Sequence, residues 1–73
     1  MSPRENLVRL AAERGESLAS LSALIGRNAA YLQQFVTRGS PKRLADDHRL
    51  HLAKFFNVDE CLLGAREPWR PVL

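Results

Sequence analysis

Cysteine and long apolar runs are scarce in this 73-residue chain. The one cysteine, Cys61, has no partner for an internal disulfide, and no Cys/His cluster has the spacing of a zinc site. No apolar run approaches the roughly 20 residues that span a membrane. The N-terminal segment lacks the apolar stretch of a signal peptide. We therefore expect a cytoplasmic domain that is held together by packing alone, without metal or cofactor.

Acidic residues are absent from one continuous stretch. No Asp or Glu occurs between Ser17 and Arg43, although Arg27, Arg38 and Lys42 lie there. The whole chain has 11 Lys and Arg against 8 Asp and Glu, a net charge of +3 that only weakly favours a polyanionic partner. The uneven distribution is the stronger indication, because a surface that faces phosphates needs cations without neighbouring acids.

Apolar residues make up 45% of the chain and recur at helical spacing. This pattern predicts an all-α domain of five short helices over residues 1–64 and a linker or C-terminal tail over residues 65–73. With their capping residues, the helices are expected at Ser2–Gly15, Ser17–Gly26, Asn28–Gly39, Ala45–Asn57 and Asp59–Gly64. The residues expected in the core are Leu7, Leu10, Ala11, Leu18, Leu21, Ser22, Ile25, Ala29, Leu32, Phe35, Val36, Leu50, Ala53, Phe55, Phe56 and Cys61.

The third predicted helix has two different faces. One is apolar and is expected in the core: Ala29, Leu32, Phe35 and Val36. The opposite face is small and polar: Ala30, Gln33, Gln34 and Thr37. Glutamine can pair with adenine through two hydrogen bonds, and alanine can contact the methyl group of thymine. This face is therefore suited to reading base edges.

The segment Leu21–Leu32 resembles the helix-turn-helix of the lambda-repressor/Cro-like (XRE-type) family. The family pattern is a leucine, a small residue, a helix-ending apolar residue, a glycine, a short turn and a recognition helix. In this chain the matching residues are Leu21, Ser22, Ile25, Gly26, Leu32 and Phe35. With weaker matches at 38–40 and 52–63, the resemblance covers residues 3–64.

One position departs from that pattern. Arg27 follows the turn glycine, where the family usually has an apolar residue. Either its stem lies on the core and its guanidinium points outward, or the turn differs slightly.

The resemblance implies sequence-specific binding of double-stranded DNA by a bacterial or phage-type transcription regulator, more often a repressor, at the nucleoid. It also implies a homodimer on a palindromic operator, with recognition helices in successive major grooves about 34 Å apart. Trp69, Val72 and Leu73 are candidates for a dimer surface. Within the family, the chain looks like the N-terminal domain of repressors that carry a LexA-like peptidase domain after a linker.

Two sets of residues are candidates for contact with DNA. The candidates for base contact are Ala29, Ala30, Tyr31, Gln33 and Gln34. The candidates for phosphate contact are Ser17, Arg27, Asn28, Thr37, Arg38, Lys42 and Arg43, with backbone amides at the starts of the second and third helices. Tyr31 is equally well interpreted as a half-buried core residue.

Other functions have less support in the sequence. His48 and His51 lack a third metal ligand, so we interpret them as surface or packing residues. No serine has a base at a recognisable spacing, and we expect no enzyme and no small-molecule ligand. The alternative is a helical protein-interaction module, such as an antitoxin or adaptor, whose best support is the apolar tail at Trp69–Leu73.

Overall fold

The computed structural model describes residues 2–64, and over this range every regular element is a helix. The elements are α1 (Pro3–Arg14), α2 (Leu18–Leu24), α3 (Tyr31–Arg38), α4 (Asp46–Phe56) and a short 3₁₀ helix (Glu60–Leu63). The prediction of an all-α domain is confirmed, with the 3₁₀ helix in the place of the fifth predicted helix. The predicted tail, including Trp69, Val72 and Leu73, lies outside the described residues. Within residues 2–64, no helix has the length and apolar character needed to cross a membrane.

Local capping signals fix both ends of α1. The hydroxyl oxygen of Ser2 accepts from the Glu5 amide at 3.2 Å, and the Glu5 carboxylate accepts from the Ser2 amide at 3.3 Å. The hydrogen bond from the Ser2 amide holds the pKa of Glu5 below its usual value. At the other end, Gly15 adopts a left-handed conformation with φ 66°.

One hydrophobic core joins all the elements. Its buried members are Leu7, Leu10, Ala11, Leu21, Ile25, Leu32, Phe35, Leu44, Leu52, Ala53, Phe56 and Leu63. Most of these were predicted from the helical spacing; Leu44, Leu52 and Leu63 are additions. Ser22 is buried among them, donates its hydroxyl to the Leu18 carbonyl at 2.7 Å and accepts from the Leu32 amide at 3.0 Å. This side chain therefore ties α2 to the start of α3.

Arg49 connects α4 to the 3₁₀ helix. Its Nε lies 2.9 Å from the Glu60 carboxylate, and its Nη2 lies 2.6 Å from the Asp46 carboxylate. Burial lowers the pKa of Arg49, but the hydrogen bonds with Glu60 and Asp46 outweigh that effect and raise it. The closing turn of the domain is thus fixed by an ion pair that is largely buried.

The start of the third helix is wrong in the sequence analysis. Asn28 is not the residue before α3, which is Ala30. The Asn28 side-chain oxygen accepts from the Ala30 amide at 3.0 Å, and its carbonyl accepts from the Tyr31 amide at 3.1 Å, so Asn28 closes a tight turn that precedes the helix. The helix begins two residues later than predicted, at Tyr31. Ala29 lies exposed in the turn instead of in the core, since the predicted apolar stripe assumed helix from residue 28 onward.

The expected burial of Cys61 and Phe55 is also wrong. Residues three apart eclipse each other in a 3₁₀ helix, so Glu60 and Leu63 share the buried side and Cys61 faces solvent. In α4 the buried side is formed by Leu52, Ala53 and Phe56, which leaves Phe55 at its edge with 37% of its surface exposed. Leu18, Val36 and Leu50 are half-buried.

Candidate nucleic-acid interface

The two predicted faces of α3 differ sharply in burial. Leu32 and Phe35 are 0% and 2% exposed and face the core. Gln33, Gln34 and Thr37 are exposed. The amide side chains of both glutamines therefore lie on an open helical surface, where their donors and acceptors can reach another molecule.

The turn before α3 is also open. Ala29 and Ala30 are exposed and directly precede the helix, so two small side chains stand before Tyr31. The side-chain oxygen of Asn28 is held by Ala30, which leaves its NH₂ group as the donor for a neighbouring anion. Small side chains at this end would allow a close approach to a partner surface.

Tyr31 forms a stack that joins the turn, α3 and α4. The guanidinium carbon of Arg27 lies 4.5 Å from the centre of the Tyr31 ring, and the His48 ring meets the same ring edge-on at 5.6 Å. Tyr31 is half-buried and packs against the core. The guanidinium of Arg27 therefore lies over a partly buried aromatic ring of the domain.

Exposed cations follow the C-terminal end of α3. Arg38 is in its last turn, Gly39 ends the helix at φ 69°, and Lys42 and Arg43 lie exposed in the next loop. Together with Arg27, these residues place positive charge both before and after the exposed face of α3. From Ser17 to Ala45 the sequence contains no acidic residue that would oppose an anion there.

Two of the predicted phosphate contacts have weaker support. The Thr37 hydroxyl donates to the Gln33 carbonyl at 2.8 Å, and phosphate oxygens accept only, so Thr37 has to rotate before it can donate to them. The Ser17 oxygen caps α2 by accepting from the Ser20 amide at 3.0 Å. Glu16 stands beside it and accepts from the Ser20 hydroxyl at 3.1 Å, which places negative charge at the start of α2.

Arg4 contacts the end of α3 and the loop after it, which the sequence did not predict. It lies in α1, and its Nε donates to the Phe35 carbonyl at 2.9 Å, while its Nη2 donates to the Lys42 carbonyl at 3.5 Å. These partners are 31 and 38 positions away along the chain. Both acceptors are backbone groups, which every residue possesses, so no sequence pattern marks them.

The histidines do not form a metal site with their neighbours. Over residues 2–64, no group of three or more His, Cys, Asp or Glu is close enough to hold an ion. His48 packs on Tyr31 and His51 is exposed, in agreement with their interpretation as packing and surface residues.

The assembled surface thus consists of an open polar helix face, a turn of small residues and flanking cations. Comparison of this chain with protein-family models, with curated proteins and with solved structures found no match in any of the three.

Proposed function

We propose that this domain binds double-stranded DNA in a sequence-specific manner, with α2 and α3 as a helix-turn-helix and α3 in the major groove. The observation that carries the proposal is the exposed, acid-free polar face of α3 with cations before and after it. A major groove about 12 Å wide admits one α-helix. The buried opposite face of α3 keeps the helix fixed on the domain while its polar face meets the bases.

Gln33 and Gln34 are the proposed base-reading residues, with Ala29 and Ala30 close to the helix start. Each glutamine amide carries both a donor and an acceptor, the combination that matches the major-groove edge of adenine. The alanines suit contact with thymine methyl groups. Tyr31 has a smaller role in reading bases, because its ring is already covered by Arg27 and His48.

Arg27, Arg38, Lys42 and Arg43 are the proposed phosphate contacts, with the NH₂ group of Asn28 as a neutral donor. Phosphate contacts hold the register and orientation of a protein on the duplex, whereas base contacts select the sequence. Both kinds of contact are available here on neighbouring segments of the chain.

The family resemblance extends this proposal to the biological role. As a lambda-repressor/Cro-like (XRE-type) domain, the chain would act in a bacterial or phage-type transcription regulator, more often as a repressor. Such regulators bind a palindromic operator as homodimers, with recognition helices one helical turn of DNA apart.

Selection from a random pool of duplex DNA tests the function directly. The enriched sequence is then titrated with the parent chain and with Gln33→Ala plus Gln34→Ala. We expect the parent to prefer the enriched duplex over a scrambled one, and the double variant to lose that preference, because each bidentate contact contributes about 1–3 kcal/mol of discrimination.

The scrambled duplex is the internal control. Alanine favours helix at least as well as glutamine, so the double variant keeps its fold and its phosphate contacts. It should therefore bind the scrambled duplex as tightly as the parent does. A parent chain that enriches no sequence and binds no duplex at low salt would overturn the proposal.

A protein-interaction module is the second candidate. It is favoured by a shallow pocket of about 380 Å³ between α1 and α3, lined by Arg4, Glu5, Val8, Arg9 and Val36, in which Val8 is 44% exposed. Around the axis of α3, Val36 lies opposite Gln34 but next to Gln33, since residues three apart are neighbours on a helix surface. Failure of the DNA selection would make this pocket the first surface to investigate.

A further inference from the structure

We propose that Arg4 is a positioning residue for DNA binding, which holds the loop 39–43 against the C-terminal end of α3 so that Lys42 and Arg43 meet the phosphates together. This inference rests on the proposed function. It assigns a role to an α1 side chain that lies 38 positions before Lys42 in the sequence.

Arg4 is half-buried between α1 and the end of α3. Its Nε donates to the Phe35 carbonyl at 2.9 Å, and its guanidinium carbon lies 5.3 Å from the centre of the Phe35 ring. Its Nη2 reaches the Lys42 carbonyl at 3.5 Å. A Cβ at Gly39 would come within 3.0 Å of the same Nη2, so the glycine leaves the space that the guanidinium occupies.

The Phe35 carbonyl is one of the last four of α3, which have no amide partner within the helix. The first two amides after the helix, those of Gly39 and Ser40, both donate to the Gln34 carbonyl instead. Arg4 therefore supplies a donor that the loop does not give to Phe35. Its positive charge also lies at the negative end of the α3 dipole.

The loop is thereby held at three places. Gly39 closes α3 at one end, and the side chain of Leu44 is buried in the core at the other, with 3% of its surface exposed. Between them, Arg4 holds the backbone of Lys42 while the Lys42 side chain stays exposed. Phosphate binding then requires less ordering of the loop than a free segment would need.

The geometry requires arginine and not only a positive charge. A planar guanidinium can donate from Nε and Nη2 to two carbonyls at once, whereas a lysine ammonium has no such fork. A lysine at position 4 keeps the charge of the domain but loses one of the two contacts. Charge and positioning can therefore be separated by substitution.

The test compares Arg4→Gln and Arg4→Lys with Arg9→Gln. Arg9 is the matched control because it lies in the same helix, carries the same charge and is exposed beside Glu13 at 3.2 Å. Affinity for the enriched and the scrambled duplex is measured by fluorescence anisotropy, after circular dichroism has shown that each variant is folded. We expect both Arg4 variants to weaken binding to both duplexes by about tenfold, since one or two phosphate contacts are lost. Arg9→Gln should change the affinity by about twofold or less, because its charge is screened.

A double-mutant cycle separates positioning from a direct phosphate contact of Arg4. In a chain that already carries Lys42→Ala plus Arg43→Ala, Arg4→Gln should cause little further loss of affinity for DNA, because the loop no longer carries the cations that Arg4 positions. In the free domain, hydrogen exchange at the Gly39 and Ser40 amides should be faster in Arg4→Gln, while exchange at the Leu21 amide stays unchanged.

The outcomes are distinct. If the parent chain binds DNA and Arg4→Gln and Arg4→Lys behave like Arg9→Gln, this inference is wrong and the proposed function stands. If the effects of Arg4→Gln and of the loop substitutions on the binding free energy were fully additive, the inference would also be contradicted, since Arg4 would then act independently of the loop. If the parent chain binds no duplex, the proposed function itself is wrong.

Discussion

At the scale of single residues, Ser22 connects α2 to α3. It is 0% exposed, and its one hydroxyl group serves both helices that form the candidate interface. It donates to the Leu18 carbonyl in α2 and accepts from the Leu32 amide in α3. The residue before α3, Ala30, has no side-chain group that could cap the helix. The hydroxyl of Ser22, ten positions before Leu32 in the sequence, therefore caps the start of α3 in place of a local side chain.

Replacement of Ser22 by alanine should destabilise the domain by about 1–3 kcal/mol, because the Leu32 amide would be buried without an acceptor. The free energy of unfolding is measured by urea denaturation, followed by circular dichroism. The start of α3 should lose hydrogen-exchange protection in the same variant.

Ser20→Ala is the matched control for this substitution. Ser20 lies in the same helix, but it is exposed, and its hydroxyl contacts Glu16 and the Ser17 carbonyl at the surface. Its replacement should change the stability by no more than about 0.5 kcal/mol. Equal effects of the two substitutions would contradict the capping role of Ser22.

At the scale of helices, the sequence predicts the ends that are fixed locally. The predicted capping residues at these ends contact groups only a few positions away, and each caps its helix as predicted: Ser2 with Glu5, Gly15, Gly39 and Asn57. Such short-range geometry is encoded in residue type and spacing. These positions account for most of the agreement between the predicted and observed helices.

The start of α3 could not be predicted in this way. Asn28 satisfies its side chain within the turn, and the acceptor for α3 comes from Ser22. The hydrogen bonds from Arg4 to Phe35 and Lys42 depend on backbone carbonyls that the packing of α1 against α3 brings close to Arg4. The polar face of α3 was predictable from its spacing, but the contacts that support it arise only when the helices pack.

The attachment of the 3₁₀ helix to α4 gives a prediction at this scale. The side chains of Arg49 and Glu60 are only 13% and 8% exposed. Glu60→Gln should lower the free energy of unfolding by about 3 kcal/mol, because it removes the buried one of the two carboxylates that pair with the Arg49 guanidinium. Urea denaturation at neutral pH measures the change.

Glu13→Gln is the matched control for Glu60→Gln. It also breaks one arginine–carboxylate pair, but Arg9 and Glu13 are 41% and 56% exposed. Water screens this pair, so its loss should cost no more than about 1 kcal/mol. If both substitutions had the same effect, burial of the Arg49–Glu60 pair would not be the source of its strength.

At the scale of the whole molecule, the acid-free stretch from Ser17 to Ala45 separates the acids of the first 16 residues from those of α4 and the 3₁₀ helix. The acids Asp46, Asp47, Asp59 and Glu60 lie in α4, the turn after it and the 3₁₀ helix, and two of them, Asp46 and Glu60, are paired with Arg49. The cations of the turn and of the loop 39–43 lie in the acid-free stretch. A net charge of only +3 can therefore still present a strongly positive surface to one side.

This separation predicts how DNA binding depends on salt. Each phosphate neutralised by a cation contributes about −0.9 to the slope of log K against log salt concentration. If Arg27, Arg38, Lys42 and Arg43 each contact one phosphate, a single domain should show a slope of about −3 to −4. Lys42→Ala plus Arg43→Ala should reduce its magnitude by about 2, on the enriched and the scrambled duplex alike. Removal of the exposed charge of Arg9 should leave the slope unchanged, because counterions are released only where cations meet phosphates. If removal of the Arg9 charge changed the slope by half as much as the double loop variant does, then net charge, and not the placement of the loop cations, would drive the binding.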